Sequence, residues 1–179
     1  MALCRNRMNK GRVMAILDAY EEYDPDPAMD VVETVIRAQG WNHKRVHDDE
    51  MAAEYRGKWC DYSLHFAWSD EISAFHFTCA FDVRIPAHKT AAVHNLLAMV
   101  NDRLWLGHFC VWHEEGLPMY RHALPLRRTH MTAEQVEDLL DVAISECERF
   151  YPAFQYVVWG GKSPKEALEA AIVDPVGEA

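Results

Sequence analysis

Between Trp59 and Arg84 apolar and polar positions alternate along two runs. Cys60, Tyr62, Leu64, Phe66 and Trp68 share one face of the first run, and Phe75, Phe77, Cys79, Phe81 and Val83 share one face of the second. Such period-two alternation, rich in aromatics, predicts an antiparallel hairpin buried on one side, turning at Ser69-Asp70-Glu71. Its other side carries Asp61, Ser63, His65, His76, Thr78 and Asp82. A function borne by the hairpin belongs on that side.

Helical spacing takes over on either side of the hairpin. Asp26-Pro27 starts a helix, Met29, Val32, Val35 and Ile36 form its stripe, and Gly40 stops it, so the first helix spans Pro27 to Gln39. Short strands follow near Asn42 to His47 and Met51 to Tyr55. After Pro86, Ala92, Val93, Leu96, Leu97, Val100 and Leu104 make an amphipathic helix that ends before Gly107. A second hairpin runs from His108 to His113, turns at Glu114-Glu115-Gly116, and returns from Leu117 to Leu126. Thr132 and Gln135 form a capping box at the head of the longest stripe, Val136 to Val157. Pro152 inside that stripe predicts a kink. The helix's other face, with Glu134, Glu137, Asp138, Asp141 and Glu148, reads as solvated. Gly160-Gly161 ends it, and Ser163-Pro164-Lys165-Glu166 caps a last helix. The element order predicts an α+β fold, a twisted antiparallel sheet with helices packed mainly on one face. Residues 1–25 read as a mobile extension, within which Met8 and Met14, like Met29 beyond it, offer alternative starts. Residues 26–173 form a single domain, and 174–179 a fraying tail.

Composition narrows the partners. The 179 residues carry 28 acidic and 18 basic side chains, a formal net charge of -10. That surface repels phosphates, which argues against nucleic acid and anionic membranes as partners. Arg5, Arg7, Lys10 and Arg12 make a small basic patch at the N-terminus. Five cysteines without C-x-x-C spacing read as reduced thiols rather than a disulfide framework or zinc ribbon. No apolar run is long enough for a bilayer and the first residues lack a signal peptide's apolar stretch, so the expected setting is the cytoplasm.

Candidate chemistry centres on histidine. If Phe66 faces Phe75, His65 stands opposite His76 and Ser63 opposite Thr78, with Asp61 nearby. Two imidazoles and a carboxylate in that arrangement are the material of a metal site. Sliding the register by two sets His65 against Ala74 instead. The competing reading is a histidine pair at a protein contact or facing solvent. It makes Asp61, Ser63, His65, His76 and Thr78 partner-binding residues, with His65, His76 and Asp61 as metal ligands the alternative. Gly160-Gly161-Lys162-Ser163 superficially matches a phosphate loop, but Tyr156 stands where that motif needs glycine and a helix precedes it. No G-x-S-x-G occurs, and Cys60, Cys79 and Cys147 lie on apolar stripes, so no catalytic residue is assigned. His108, His113 and His122 flank the charged turn Glu114-Glu115. Trp105, Trp112, Tyr120, Tyr151, Phe154 and Trp159 read mostly as core; exposed together they would mark an interface.

Several phrases carry a resemblance: Trp59-Cys60-Asp61-Tyr62-Ser63-Leu64, Cys79-Ala80-Phe81-Asp82-Val83-Arg84-Ile85-Pro86, Val100-Asn101-Asp102-Arg103-Leu104-Trp105-Leu106-Gly107, Glu148-Arg149-Phe150-Tyr151-Pro152-Ala153-Phe154 and Trp159-Gly160-Gly161-Lys162-Ser163. From Asp26 to Ile172 the chain resembles the YbjN-like family of bacterial sensory transduction regulators. The resemblance implies a fold similar to type III secretion chaperones and a homodimer that works through protein contacts. It implies no catalytic residues and no cofactor. Asp82 and Arg84, polar members of these phrases, are expected to pair structurally. The expectation is a non-enzymatic protein-interaction module with a protein partner or client.

Overall fold

The computed structural model describes residues 28–127 and 129–173. The N-terminal extension, with its basic patch and Cys4, and the tail from Asp174 lie outside the described residues. Six strands and four α-helices follow the predicted order: α1 (Ala28–Ala38), β1 (Asn42–His47), β2 (Glu50–Arg56), β3 (Asp61–Ser69), β4 (Ala74–Ala80), α2 (Thr90–Asn101, preceded by a 3-10 turn Ala87–Lys89), β5 (His108–Trp112), β6 (Leu117–Pro125), α3 (Ala133–Val158) and α4 (Pro164–Val173). The strands form one antiparallel sheet in the order β1-β2-β3-β4-β6-β5. The fold is α+β, as the periodicities predict.

Among the described residues all the helix–sheet packing is on one side. α1 lies on β2 and β3, α3 on β4 and β6, and α2 against β5; α3 also touches α1, α2 and α4. The core between them buries the predicted hairpin stripes, Tyr62, Leu64 and Phe66 facing Phe75, Phe77, Cys79 and Phe81, with α3 adding Phe150, Tyr151 and Phe154. Alternation forces this arrangement. A strand that buries every second side chain leaves the intervening ones on the other face.

Most helix ends follow the sequence signals, but α2 stops at Asn101, short of the Leu104 and Gly107 expected to close it, and the expected Asp26-Pro27 start of α1 lies outside the described residues. At the end of α1 the Gly40 N–H bonds to Arg37 O at 3.0 Å and the Trp41 N–H to Ile36 O at 3.3 Å. This is a Schellman closure with Gly40 at φ +73. Both predicted capping boxes form, Thr132 with Gln135 and Ser163 with Glu166. The helix α3 continues through Pro152, and the proline has a specific consequence. Lacking an N–H, it leaves the Glu148 carbonyl without its helical donor. The Trp59 indole Nε1 donates to that carbonyl at 2.9 Å. The Glu148 side chain does not join the solvated face expected of it; its Oε1 accepts the Lys58 backbone N–H at 2.6 Å. One turn of α3 thus grips the loop that leads into β3. Gly57 permits that approach, because a Cβ there would fall 2.1 Å from the Tyr62 ring and 2.6 Å from Glu148 Oε1.

Two expectations fail. The β3–β4 register pairs Phe66 with Phe77 and Ser69 with Ala74, so His65 faces Thr78 and His76 faces Ala67. The loop is longer than Ser69-Asp70-Glu71, four residues from Asp70 to Ser73 closed by Ser73 N–H to Asp70 O, with Ser73 at φ +48. The longer loop shifts the pairing by two residues while keeping the apolar faces together. Asp82 and Arg84 do not pair either. Tyr151 Oη donates to Asp82 at 2.9 Å, and Arg84 bridges to Glu115 at 2.9 Å.

Candidate functional site: the open face of the sheet

The strand registers define the face that no helix covers among the described residues. One row crosses the whole sheet through Lys44, Ala52, His65, Thr78, Arg121 and His108. The next holds Asn42, Glu54, Ser63, Ala80, Met119 and Cys110. On the other side of the first row lie Glu50, Ala67, His76 and Ala123, and Asp61 stands opposite Arg56 beyond the second. All five sequence-predicted residues, Asp61, Ser63, His65, His76 and Thr78, therefore share this face. The middle is low, since Ala52, Ala67, Ala80 and Thr78 rise little from the sheet. One end is apolar, where Met119 and Leu117 adjoin Trp112, which is 45% exposed.

The two histidines are diagonal neighbours in distinct states. His65 Nε2 lies 2.5 Å from Glu50 Oε1, an imidazole donating to a carboxylate. Arg121 donates to His76 Nε2 from Nε at 3.1 Å and Nη2 at 3.0 Å. An arginine donor requires an unprotonated acceptor, so His76 is the neutral ring with its proton on Nδ1. Burial pushes the His76 pKa down from 6.5, and Arg121, His65 and His108 add to the shift. Each Nε2 is thus already engaged, His76 beside a guanidinium. Among the described residues no group of three or more His, Cys, Asp or Glu is placed to hold a metal ion.

The other candidates separate. His122 lies on the helix side of β6, opposite Phe77, and burial lowers its pKa from 6.5 with His108 contributing. His113 meets His94 edge to face at 5.9 Å. Burial pushes the Cys60 thiol up to about 12 and raises those of Cys110 and Cys147, so these three stay protonated and unreactive at neutral pH. Tyr120, Tyr151 and Phe154 are core as expected, whereas Trp105, Trp112 and Trp159 are exposed. Sequence reasoning missed Arg121 and Met119. Alternation along Leu117, Met119, Arg121 and Ala123 marks them as one face, but their place beside β4 comes from a pairing that spans α2 and β5.

The sheet's outer strands are guarded. β1 carries Lys44 and Arg45 and an irregularity between Arg45 and His47, features that discourage strand addition. At β5 the Asn101 side chain covers the backbone of Phe109, Nδ2 donating to Phe109 O at 3.0 Å and Oδ1 accepting its N–H at 2.7 Å.

A family model described as YbjN, a putative bacterial sensory transduction regulator, matches residues 28–156, well over half of the chain. The chain belongs to the YbjN family. The match spans α1 through most of α3, and with them every residue of the open face. A solved structure, the crystal structure of YbjN, a putative transcription regulator from E. coli, is similar at 10% identity and a TM-score of 0.49, over 79% of this chain and 90% of that one. No curated protein matches the chain. The YbjN family is thus described as one of regulators, and among the described residues of this member no helix is long and apolar enough to cross a membrane.

Proposed function

We propose that this chain is a non-enzymatic, cytoplasmic protein-interaction module, a homodimer that binds or buffers another protein in the manner of a chaperone through the open face of its sheet. The observation that carries this reading is the one-sidedness of the fold. Among the described residues three helices pack on one face of a six-stranded sheet, the fourth packs on α2 and α3, and no element packs on the other face. That face combines a flat alanine-lined centre, an apolar end at Trp112 and Met119, and polar rows of ordered histidine and arginine. Large contact residues beside adaptable polar groups are what a protein interface uses. The acidic net charge and the protonated thiols add to the reading.

Replacing both His65 and His76 by alanine tests it. The double variant keeps its helix content and unfolding midpoint near those of the parent chain, because both residues stand on the face away from the core. Recovery of the co-purifying partner from native cells falls several-fold. Unchanged recovery by a folded variant places the contact elsewhere. Light scattering of the purified chain tests the dimer, and a monomer mass removes that part of the proposal.

A further inference from the structure

The sheet has a step in its edge. β5 begins at His108, opposite Arg121, whereas β6 continues to Pro125. The Phe81 N–H bonds to Pro118 O and the Leu126 N–H to Ser73 O, so the even-numbered residues of β6 direct their backbone groups toward β4. By alternation the odd-numbered ones face β5. Ala123 N–H and C=O and Pro125 C=O therefore point into the space where β5 has ended. Among the described residues no backbone hydrogen bond reaches them there. Gly107, at φ +65, turns the preceding loop out of the strand line, and a Cβ there would lie 2.2 Å from Tyr120 Oη.

Beneath the step lies a cavity of about 180 Å³ between β6 and α3, lined by Leu106, His122, Leu124, Asp138, Leu139 and Val142 among others. A cavity of roughly 150 Å³ takes a benzene ring, so this one holds a single leucine- or phenylalanine-sized side chain. Leu106 at its lip is 52% exposed and Trp105 beside it 99% exposed. The rim is acidic, Asp138 lining it and Glu134 one turn earlier on α3.

The geometry points to a docking slot for a short extended segment of a partner protein, with an apolar anchor side chain and a neighbouring lysine or arginine. Its backbone pairs with Ala123 at the vacant edge. A residue of the segment opposite Ala123 makes two main-chain hydrogen bonds, and its neighbours, opposite His122 and Leu124, direct their side chains to the helix side, where the cavity receives one. The basic residue meets Asp138 and Glu134. Only a few residues fit, since the loop before β5 closes one end and Pro125 offers no donor at the other. The slot adjoins the open face at Ala123, but its cavity and acidic rim lie on the helix side, so it stands whether or not the open-face contact does.

The probe is the blocked peptide acetyl-Lys-Leu-Ala-Leu-Lys-amide, titrated into the isotope-labelled full chain and followed by amide NMR. Saturable shifts centred on Ala123, Leu124 and Val142, with slower exchange of the Ala123 N–H, are the expected result. Ala123→Pro, which removes the donor at an edge position that tolerates proline, weakens binding about three- to tenfold. Val142→Trp fills the cavity from α3, leaves the backbone groups of Ala123 in place and abolishes binding, and Asp138→Lys weakens it. His65→Ala with His76→Ala leaves it unchanged. The proposal is overturned if no saturable shifts develop at millimolar peptide. It is equally overturned if acetyl-Lys-Ser-Ala-Ser-Lys-amide binds as well, or if the shifts fall on the His65–Thr78 row and survive Ala123→Pro and Val142→Trp.

Discussion

Trp59 and Pro152 are far apart in sequence, yet the fold makes them energetically dependent. Pro152 frees the Glu148 carbonyl, and Trp59 Nε1 occupies it at 2.9 Å while the indole stacks on Tyr151 at a centroid distance of 6.4 Å. Trp59→Phe keeps an aromatic ring but removes the donor. Leaving a half-buried carbonyl without a partner costs about 1–3 kcal/mol, and the smaller ring forfeits on the order of 1 kcal/mol of burial. In a Pro152→Ala background the new alanine N–H serves the carbonyl, and Trp59→Phe then costs only the packing. The two substitutions therefore couple by about 1–2 kcal/mol, whatever the sign of Pro152→Ala alone. Equilibrium urea unfolding of the parent, both single variants and the double variant, followed by circular dichroism, measures the coupling. Additivity to within about 0.5 kcal/mol would refute the linkage.

Further outcomes follow from the same contacts. Gly57→Ala drives a Cβ against the buried Tyr62 ring and the Glu148 carboxylate. It destabilises by roughly 3 kcal/mol and lowers the melting temperature by about 10 °C, read by calorimetry. Asn101→Ala removes both bonds to Phe109 and costs about 1–3 kcal/mol; by opening the β5 edge it also raises the aggregation rate in a thioflavin assay. His76 and His122 both have folded pKa values below 6.5. The unfolded chain therefore takes up these protons first, so the stability they contribute is whole above 6.5 and is lost as pH falls through the window beneath it. The urea midpoint drops as pH falls below 6.5, and His76→Gln with His122→Gln flattens that part of the dependence.

Much of this fold was legible because its signals are local. Period-two runs placed β3 and β4, and capping boxes and glycines placed the ends of α1, α3 and α4. The five open-face residues were readable for the same reason, since alternation alone decides which side of a strand a residue takes. Register was not, because moving a strand by two residues keeps every side chain on its face. The turn decided it, and Ser73 at positive φ gave no sequence signal of a four-residue loop. Arg121 was missed because its pairing with β4 spans two elements, and the hold of Arg121 on His76 changes what the histidines do. Glu148 misled for a related reason. Its helical spacing puts it among solvated acids, and only the proline one turn on and a loop ninety residues back give it a structural task.

Partners of this chain are proposed to meet the open face of the sheet. A photo-crosslinking amino acid placed at Thr78, in the middle of that face, and separately at Glu169, exposed on α4, tests it in native cells. The Thr78 probe is expected to capture one recurrent partner protein and the Glu169 probe not to. Capture of that partner from Glu169 alone would contradict it.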